Sequence, residues 1–195
     1  MVFCVPSGNF GNLTAGVYAW SWGLPVRQFI AATNINDVVP QYLTTAIYQP
    51  RPSLQTLSNA MDVGNPSNFE RLLAVFNHKH RAMADLLWGE VVTDDETRKT
   101  ISEVYHSHKV FLDPHTAVGY QAAKRYLAKH QAKPPKVIVL ATAHPAKFSE
   151  TIEEVTGTRP PLPKALAEAL ALPKRSQLIP NTLAALKEFL LQRFA

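Results

Sequence analysis

The sequence predicts an α/β fold, a mostly parallel sheet with helices on both faces. Short apolar runs alternate with stretches of helical periodicity, and strands separated by helices need crossover connections that place them parallel. The run Val2-Phe3-Cys4-Val5 leads through a glycine loop straight into a helix pattern. Lys136 to Thr142, K-V-I-V-L-A-T, has the unbroken apolar centre of a strand buried on both faces.

The chain begins with that first strand, Val2 to Val5. Pro6 to Gly16 then reads P-S-G-N-F-G-N-L-T-A-G. Asn12 is expected to cap a helix from Leu13 to Trp22, which Gly23 and Pro25 stop. Val26 to Ala32 is a second buried strand, closing a β-α-β unit and running into the polar Thr33-Asn34-Ile35-Asn36. A short helix over Val38 to Thr44 and a proline-interrupted extended stretch, Tyr48 to Ser58, follow. Ser58 to Pro66 carries turn chemistry rather than periodicity, and Asn65-Pro66 opens a helix over Ser67 to Phe76.

Helical periodicity resumes from Arg81 to Leu87 and ends at Gly89. Thr93-Asp94-Asp95-Glu96 matches a capping box and starts a helix to about His106. Val110 to Leu112 is a strand candidate ended by Asp113-Pro114, from which a helix runs over His115 to His130. After the strand Lys136 to Thr142, Ala143-His144-Pro145 breaks the pattern and a helix covers Phe148 to Val155. Helices over Lys164 to Ala171 and Asn181 to Phe194 complete the chain as an amphipathic cover. The expected division is an α/β core over 1–157 and a helical cover over 158–195.

Composition narrows the function classes. With 46% hydrophobic residues the chain is long enough for one sizeable core. The single cysteine, Cys4, has no internal disulfide partner and reads as a buried structural thiol in a reducing compartment. No long apolar run or basic leader pattern is present, so a cytoplasmic location without membrane contact is expected. The formal charge of +5 is scattered among acidic residues, which argues for a solvated surface attractive to anionic substrates and against nucleic acid. The pairs His78/His80 and His106/His108 fall in or near helices, where i and i+2 point to different faces, and no metal site is expected.

The glycine loop between strand and helix is the chemical signal. Helix N-terminal amides lack intrahelical partners and carry the positive end of the dipole, so a phosphate is their natural ligand. The triphosphate loop pattern is excluded because no lysine occurs before Lys79, and Gly8, Gly11 and Gly16 do not match G-x-G-x-x-G. A single phosphate monoester fits this loop. A turn kept only for close packing is the alternative.

Four segments together carry a family resemblance: V-P-S-G-N-F-G-N-L-T-A-G, F-I-A-A-T-N-I-N-D, L-S-N-A-M-D-V-G-N-P-S-N and A-T-A-H-P-A-K-F. In this order, from Val5 to about Phe148, the sequence resembles the C-terminal half of threonine synthases of the bacterial and fungal class. The resemblance implies the large part of a pyridoxal-phosphate fold similar to tryptophan synthase β, incomplete here. It also implies conversion of O-phosphohomoserine and water to L-threonine and phosphate.

Under the resemblance, Gly8, Asn9, Phe10, Gly11 and Asn12 form the cradle for the phosphate of pyridoxal 5'-phosphate, and Thr142 faces its ring nitrogen. Ser58, Asn59, Asp62, Asp113, His115 and His144 are candidate lining residues. The Schiff-base lysine is expected upstream of this sequence, so no catalytic residue is assigned within it. Lys147 is the substitute considered and set aside, because its motif accounts for it as a helix start. The expectation is a fragment, inactive alone, whose partner is the N-terminal half of the same enzyme. A non-catalytic module binding a phosphate ligand is the alternative function.

Overall fold

Residues 1–194 are described by the computed structural model. Its sheet has four strands: β1 (Val2–Pro6), β2 (Gln28–Thr33), β3 (Leu87–Val91) and β4 (Val137–Val139). They lie in the order β3-β2-β1-β4 and every pairing is parallel. Cys4 stands opposite both Ile30 and Val139, and Ile30 opposite Trp88, so one register line crosses the whole sheet.

The nine helices among the described residues are α1 (Gly11–Ser21), α2 (Val38–Thr45), α3 (Phe69–Val75), α4 (His80–Leu86), α5 (Asp94–His108), α6 (Pro114–Lys129), α7 (Ser149–Thr156), α8 (Lys164–Ala171) and α9 (Leu183–Phe194). Alternation along the strands splits the core between the two sheet faces. Val5, Phe29, Ala31 and Leu87 point to one face and pack with Leu13 and Val17 of α1, Tyr42 of α2, Leu72 of α3 and Met83 of α4. Val2, Cys4, Ile30 and Ala32 point to the other and meet Val118, Ala122 and Tyr126 of α6. Ile101, Ala117 and Ile152 tie α5, α6 and α7 into a layer outside it. The predicted α/β fold with helices on both faces is therefore what forms.

Local differences from the sequence reading have physical causes. Helix α1 begins at Gly11, with Phe10 as its N-cap in the left-handed region at φ 60°, so Asn12 lies inside the first turn and caps nothing. The helix expected through Leu87 stops at Leu86, and Leu87–Val91 becomes the edge strand β3 paired with β2. Gly89 belongs to this strand because α2 crosses it closely: a Cβ there would lie 2.8 Å from the Cα of Pro40. Val110 to Leu112 forms no strand; Phe111 instead stacks on Tyr105 with ring centroids 4.7 Å apart. Only Val137–Val139 of the last strand joins the ladder, although the Leu140 amide still donates to the Cys4 carbonyl at 3.0 Å.

The capping box forms as its sequence predicts. The Thr93 hydroxyl accepts from the Glu96 amide and the Glu96 carboxylate accepts from the Thr93 amide at 2.9 Å. Asp113 likewise caps α6, with Pro114 in its first turn. The chain divides into two compact units, the first running from Met1 to Pro161 and the second starting at Leu162. The second holds α8 and α9, and neither helix buries a residue. Among the described residues, no helix is long and apolar enough to cross a membrane.

Candidate functional site

The C-terminal ends of β1 and β4 open into a cavity of about 480 Å³. Beyond β1, its wall is the loop Pro6 to Asn12; beyond β4, it is Thr142, Ala143, Lys147 and Phe148. The turn Asn59 to Met61 and the imidazole of His115 close the remaining side. A cleft beyond the carboxyl ends of parallel strands is where open α/β sheets place ligands.

The loop is built to present its amides. Ser7 belongs to the scaffold: its amide donates to the Ala32 carbonyl at 2.8 Å and its hydroxyl to the Val5 carbonyl at 2.9 Å. Phe10 is only 3% exposed, and its ring sits in the apolar core while its backbone takes the left-handed conformation. A bulky side chain there is a strained choice, held by the surrounding packing. Asn9 braces the outer edge, its side-chain oxygen accepting from the Ser67 amide at 2.6 Å and its carbonyl from the Asn68 side chain at 2.9 Å.

Among the described residues, no protein acceptor takes the N–H of Gly8, Asn9, Phe10, Gly11 or Asn12. These donors line the cavity at the positive end of α1, the arrangement that receives an anion. Gly8 is glycine for want of space: a Cβ would lie 2.5 Å from the Met61 Cα and 2.8 Å from the Ala60 carbonyl oxygen. At Gly11 the nearest atom to such a Cβ is the Asn68 side-chain nitrogen, at an ordinary 3.7 Å.

The remaining candidates separate into lining and support. Asn59, His115 and Thr142 line the cavity together with the glycine loop. The hydroxyl of Thr142 makes no hydrogen bond among the described residues and is available to a ligand. Ser58, Asp62, Asp113 and His144 are not on the cavity wall. Asp62 accepts from the Thr56 amide at 3.0 Å, the Thr56 hydroxyl at 2.7 Å and the Asn34 side chain at 2.9 Å. Ser58 receives the same Asn34 amide group at 3.1 Å. These bonds pin the Asn59 to Met61 turn onto the end of β2. His144 accepts from the Ala146 amide at 3.1 Å and opens the short turn that carries Lys147.

Asp113 is 1% exposed and acts through His115. Its carboxylate accepts from the His115 amide at 2.9 Å, from the His115 Nδ1–H at 3.0 Å and from the Thr116 hydroxyl. The Nδ1–H tautomer follows from the other side of the ring, where Nε2 accepts from the Ala60 amide at 3.2 Å. Burial pushes the Asp113 carboxyl up, but the hydrogen bonds from His115 and Thr116 outweigh it and hold the group below its ordinary value.

Sequence reasoning had not singled out Ala60, Met61 or Phe148 as wall residues. Ala60 and Met61 lay within the quoted S-N-A-M-D segment, but contact through backbone atoms leaves no trace in residue type. Phe148 lies 5.1 Å from His115 between ring centroids. Of the histidine pairs, His80 donates from Nε2 to the last carbonyls of α2, 2.9 Å from that of Tyr42, and His106 donates from Nδ1 to the Ser102 carbonyl. Among the described residues, no group of three or more His, Cys, Asp or Glu is placed to hold a metal ion.

Comparison with known proteins points the same way. A family model described as threonine synthase, C-terminal, matches residues 116–190. Threonine synthase from Serratia marcescens is 43% identical over 191 residues, an alignment covering 98% of this chain and 43% of that protein. The crystal structure of the Escherichia coli threonine synthase is similar at a TM-score of 0.80 and 42% identity, covering 98% of this chain and 43% of that one. PLP-bound threonine synthase from Brucella melitensis gives a TM-score of 0.87 at 32% identity, over 98% of this chain and 46% of that one. The chain thus spans less than half the length of these proteins. In sequence and in fold, the chain is similar to threonine synthases, and its residues 116–190 match the model of their C-terminal region.

Proposed function

We propose that this chain is the cofactor-phosphate-binding part of a pyridoxal-5'-phosphate-dependent threonine synthase, a lyase of amino-acid biosynthesis. The observation that carries the reading is the row of unused amides from Gly8 to Asn12 on the wall of a cavity shared with Thr142. Such a row suits a phosphate monoester, and the space at Gly11 leaves room for one to approach the backbone. The PLP-bound relative has the same fold over 98% of this chain.

In this reading the amides of Gly8, Asn9, Phe10, Gly11 and Asn12 would hold the phosphate of the cofactor, and the Thr142 hydroxyl would serve its ring nitrogen. A hydroxyl leaves that nitrogen less firmly protonated than a carboxylate would. The cofactor, when bound, supplies the electron sink for proton removal beside the amino group of O-phosphohomoserine and for departure of its phosphate. Asn59, His115 and Phe148 form part of the wall around it. The whole protein's reaction is the conversion of O-phosphohomoserine and water to L-threonine and phosphate.

The lysine that carries the cofactor is proposed to lie in the part of the relatives' length that these 195 residues do not span, and the chain alone is proposed to be inactive. Lys147 lines the cavity rim, exposed, and is not given this role. The test is to mix the chain with the complementary portion of a threonine synthase relative and measure phosphate release from O-phosphohomoserine. Release is expected only from the mixture. A reassembled mixture that binds the cofactor and releases no phosphate refutes the reading.

A further inference from the structure

We infer that His115 is a positioning residue that holds the inner wall of the anion cradle, through a line of contacts running from Asp113 to the backbone of Gly8. The inference rests on the cradle reading above. Asp113, at the N-terminus of α6, receives the Nδ1–H of His115 at 3.0 Å, which leaves Nε2 free to accept the Ala60 amide at 3.2 Å. In the same turn the Met61 amide already donates to the Ser58 carbonyl and the Asp62 amide to the Asn59 carbonyl. The Ala60 amide has the imidazole as its acceptor among the described residues. Directly above it, the backbone of Ala60 and Met61 presses on Gly8 so tightly that no Cβ fits between them. A shift of the turn is therefore passed to the first amide of the cradle, because close-packed backbone cannot absorb it.

The residue type matches this task. The imidazole is 3% exposed and packed against Phe148; its donation to Asp113 fixes the tautomer, and its acceptor edge is what holds the Ala60 amide. Carboxamides separate the two functions. An asparagine at this position keeps a donor toward Asp113 but ends short of Ala60. A glutamine reaches the position of Nε2 and places its carbonyl oxygen against the Ala60 amide, while giving up the bond to Asp113.

The experiment uses the 195-residue chain and its variants His115→Gln and His115→Asn. The first readout is affinity for pyridoxine 5'-phosphate, which lacks the aldehyde and cannot react with lysines, with pyridoxine as the control lacking phosphate. The second is hydrogen exchange at the Ala60 amide, and thermal midpoints are measured in parallel. His115→Gln is expected to bind within about 3-fold of the parent and to keep Ala60 protected. His115→Asn is expected to bind about 10-fold more weakly and to exchange Ala60 about 10-fold faster, the loss that follows from leaving a part-buried donor without its protein acceptor. Equal weakening of the two variants, in step with their thermal midpoints, overturns the inference in favour of a purely structural histidine. An Ala60 amide that stays equally slow in both variants overturns it whatever the chain binds. A parent chain that binds pyridoxine no less tightly than its phosphate refutes the cradle reading itself, and the exchange contrast still decides the part played by His115.

Discussion

Replacing Gly8 and Gly11 by alanine in turn separates what the loop needs for folding from what it needs for a ligand. At Gly8 the added methyl would sit 2.5 Å from the Met61 Cα and 2.8 Å from the Ala60 carbonyl oxygen, both backbone atoms. Neither can rotate away, so the turn must move, at the roughly 1–3 kcal/mol typical of overpacking a filled site. For a chain of this size each kcal/mol lowers the midpoint by about 2–4 °C. At Gly11 the methyl meets only the flexible Asn68 side chain at 3.7 Å, and alanine in a helical first turn is neutral or stabilising by up to about 1 kcal/mol. If a phosphate approaches the backbone at this point, that methyl stands in its way. Urea unfolding and titration with pyridoxine 5'-phosphate measure the two quantities. The expected pattern is Gly8→Ala less stable by about 1–3 kcal/mol, and Gly11→Ala at least as stable as the parent while binding about 10-fold more weakly. A Gly11→Ala chain that binds as the parent does refutes the assignment of the cradle, and a Gly8→Ala chain of unchanged stability refutes the packing argument.

Removing the carboxylate at Asp62 takes the acceptor from the Thr56 amide, while Asn34 keeps Ser58 and the Thr56 hydroxyl, and Asp62→Ala is expected to cost about 1–3 kcal/mol in urea unfolding. The depressed Asp113 carboxyl contributes stability that is fully present above its unfolded-state value near 3.8 and is lost as pH falls through its lower folded value. Unfolding free energies of the parent, measured from about pH 5 down to about pH 2, should therefore fall more steeply than those of Asp113→Asn. Burial pushes the Cys4 thiol up to about 12, and its side chain is fully buried with Sγ–H donating to the Gly119 carbonyl at 3.1 Å. Thiol reagents at mildly alkaline pH should label it at least about 100-fold more slowly in the folded chain than in urea.

Elements whose signal is local were readable from the sequence, because they depend on neighbours along the chain. The Thr93/Glu96 capping box and the Asp113-Pro114 start of α6 are examples: each places a side-chain acceptor within one turn of the amides it serves. The strand-glycine-helix unit at the start was readable for the same reason. Resemblance across the four quoted segments added which phosphate to expect, a chemical identity that periodicity and spacing do not carry.

What depended on tertiary structure lay in contacts between distant segments. Leu87 was expected to end a helix and Gly89 to stop it, but Leu87–Val91 pairs with β2 as an edge strand, and α2 leaves room only for glycine at position 89. Asn12 had the side chain of a cap, yet the helix begins two residues earlier than expected, at Gly11, with the Phe10 ring held in the core. Ser58 and Asp62 were lining candidates under the family resemblance and turned out to support the turn that does the lining. The sequence by itself determined the fold class and the presence of a glycine loop opening a helix, since short-range patterning suffices for both. Only the tertiary structure decided which side chains face the cavity and which brace it, because that choice is made by packing across segments far apart in the chain, as between Ala60 and His115.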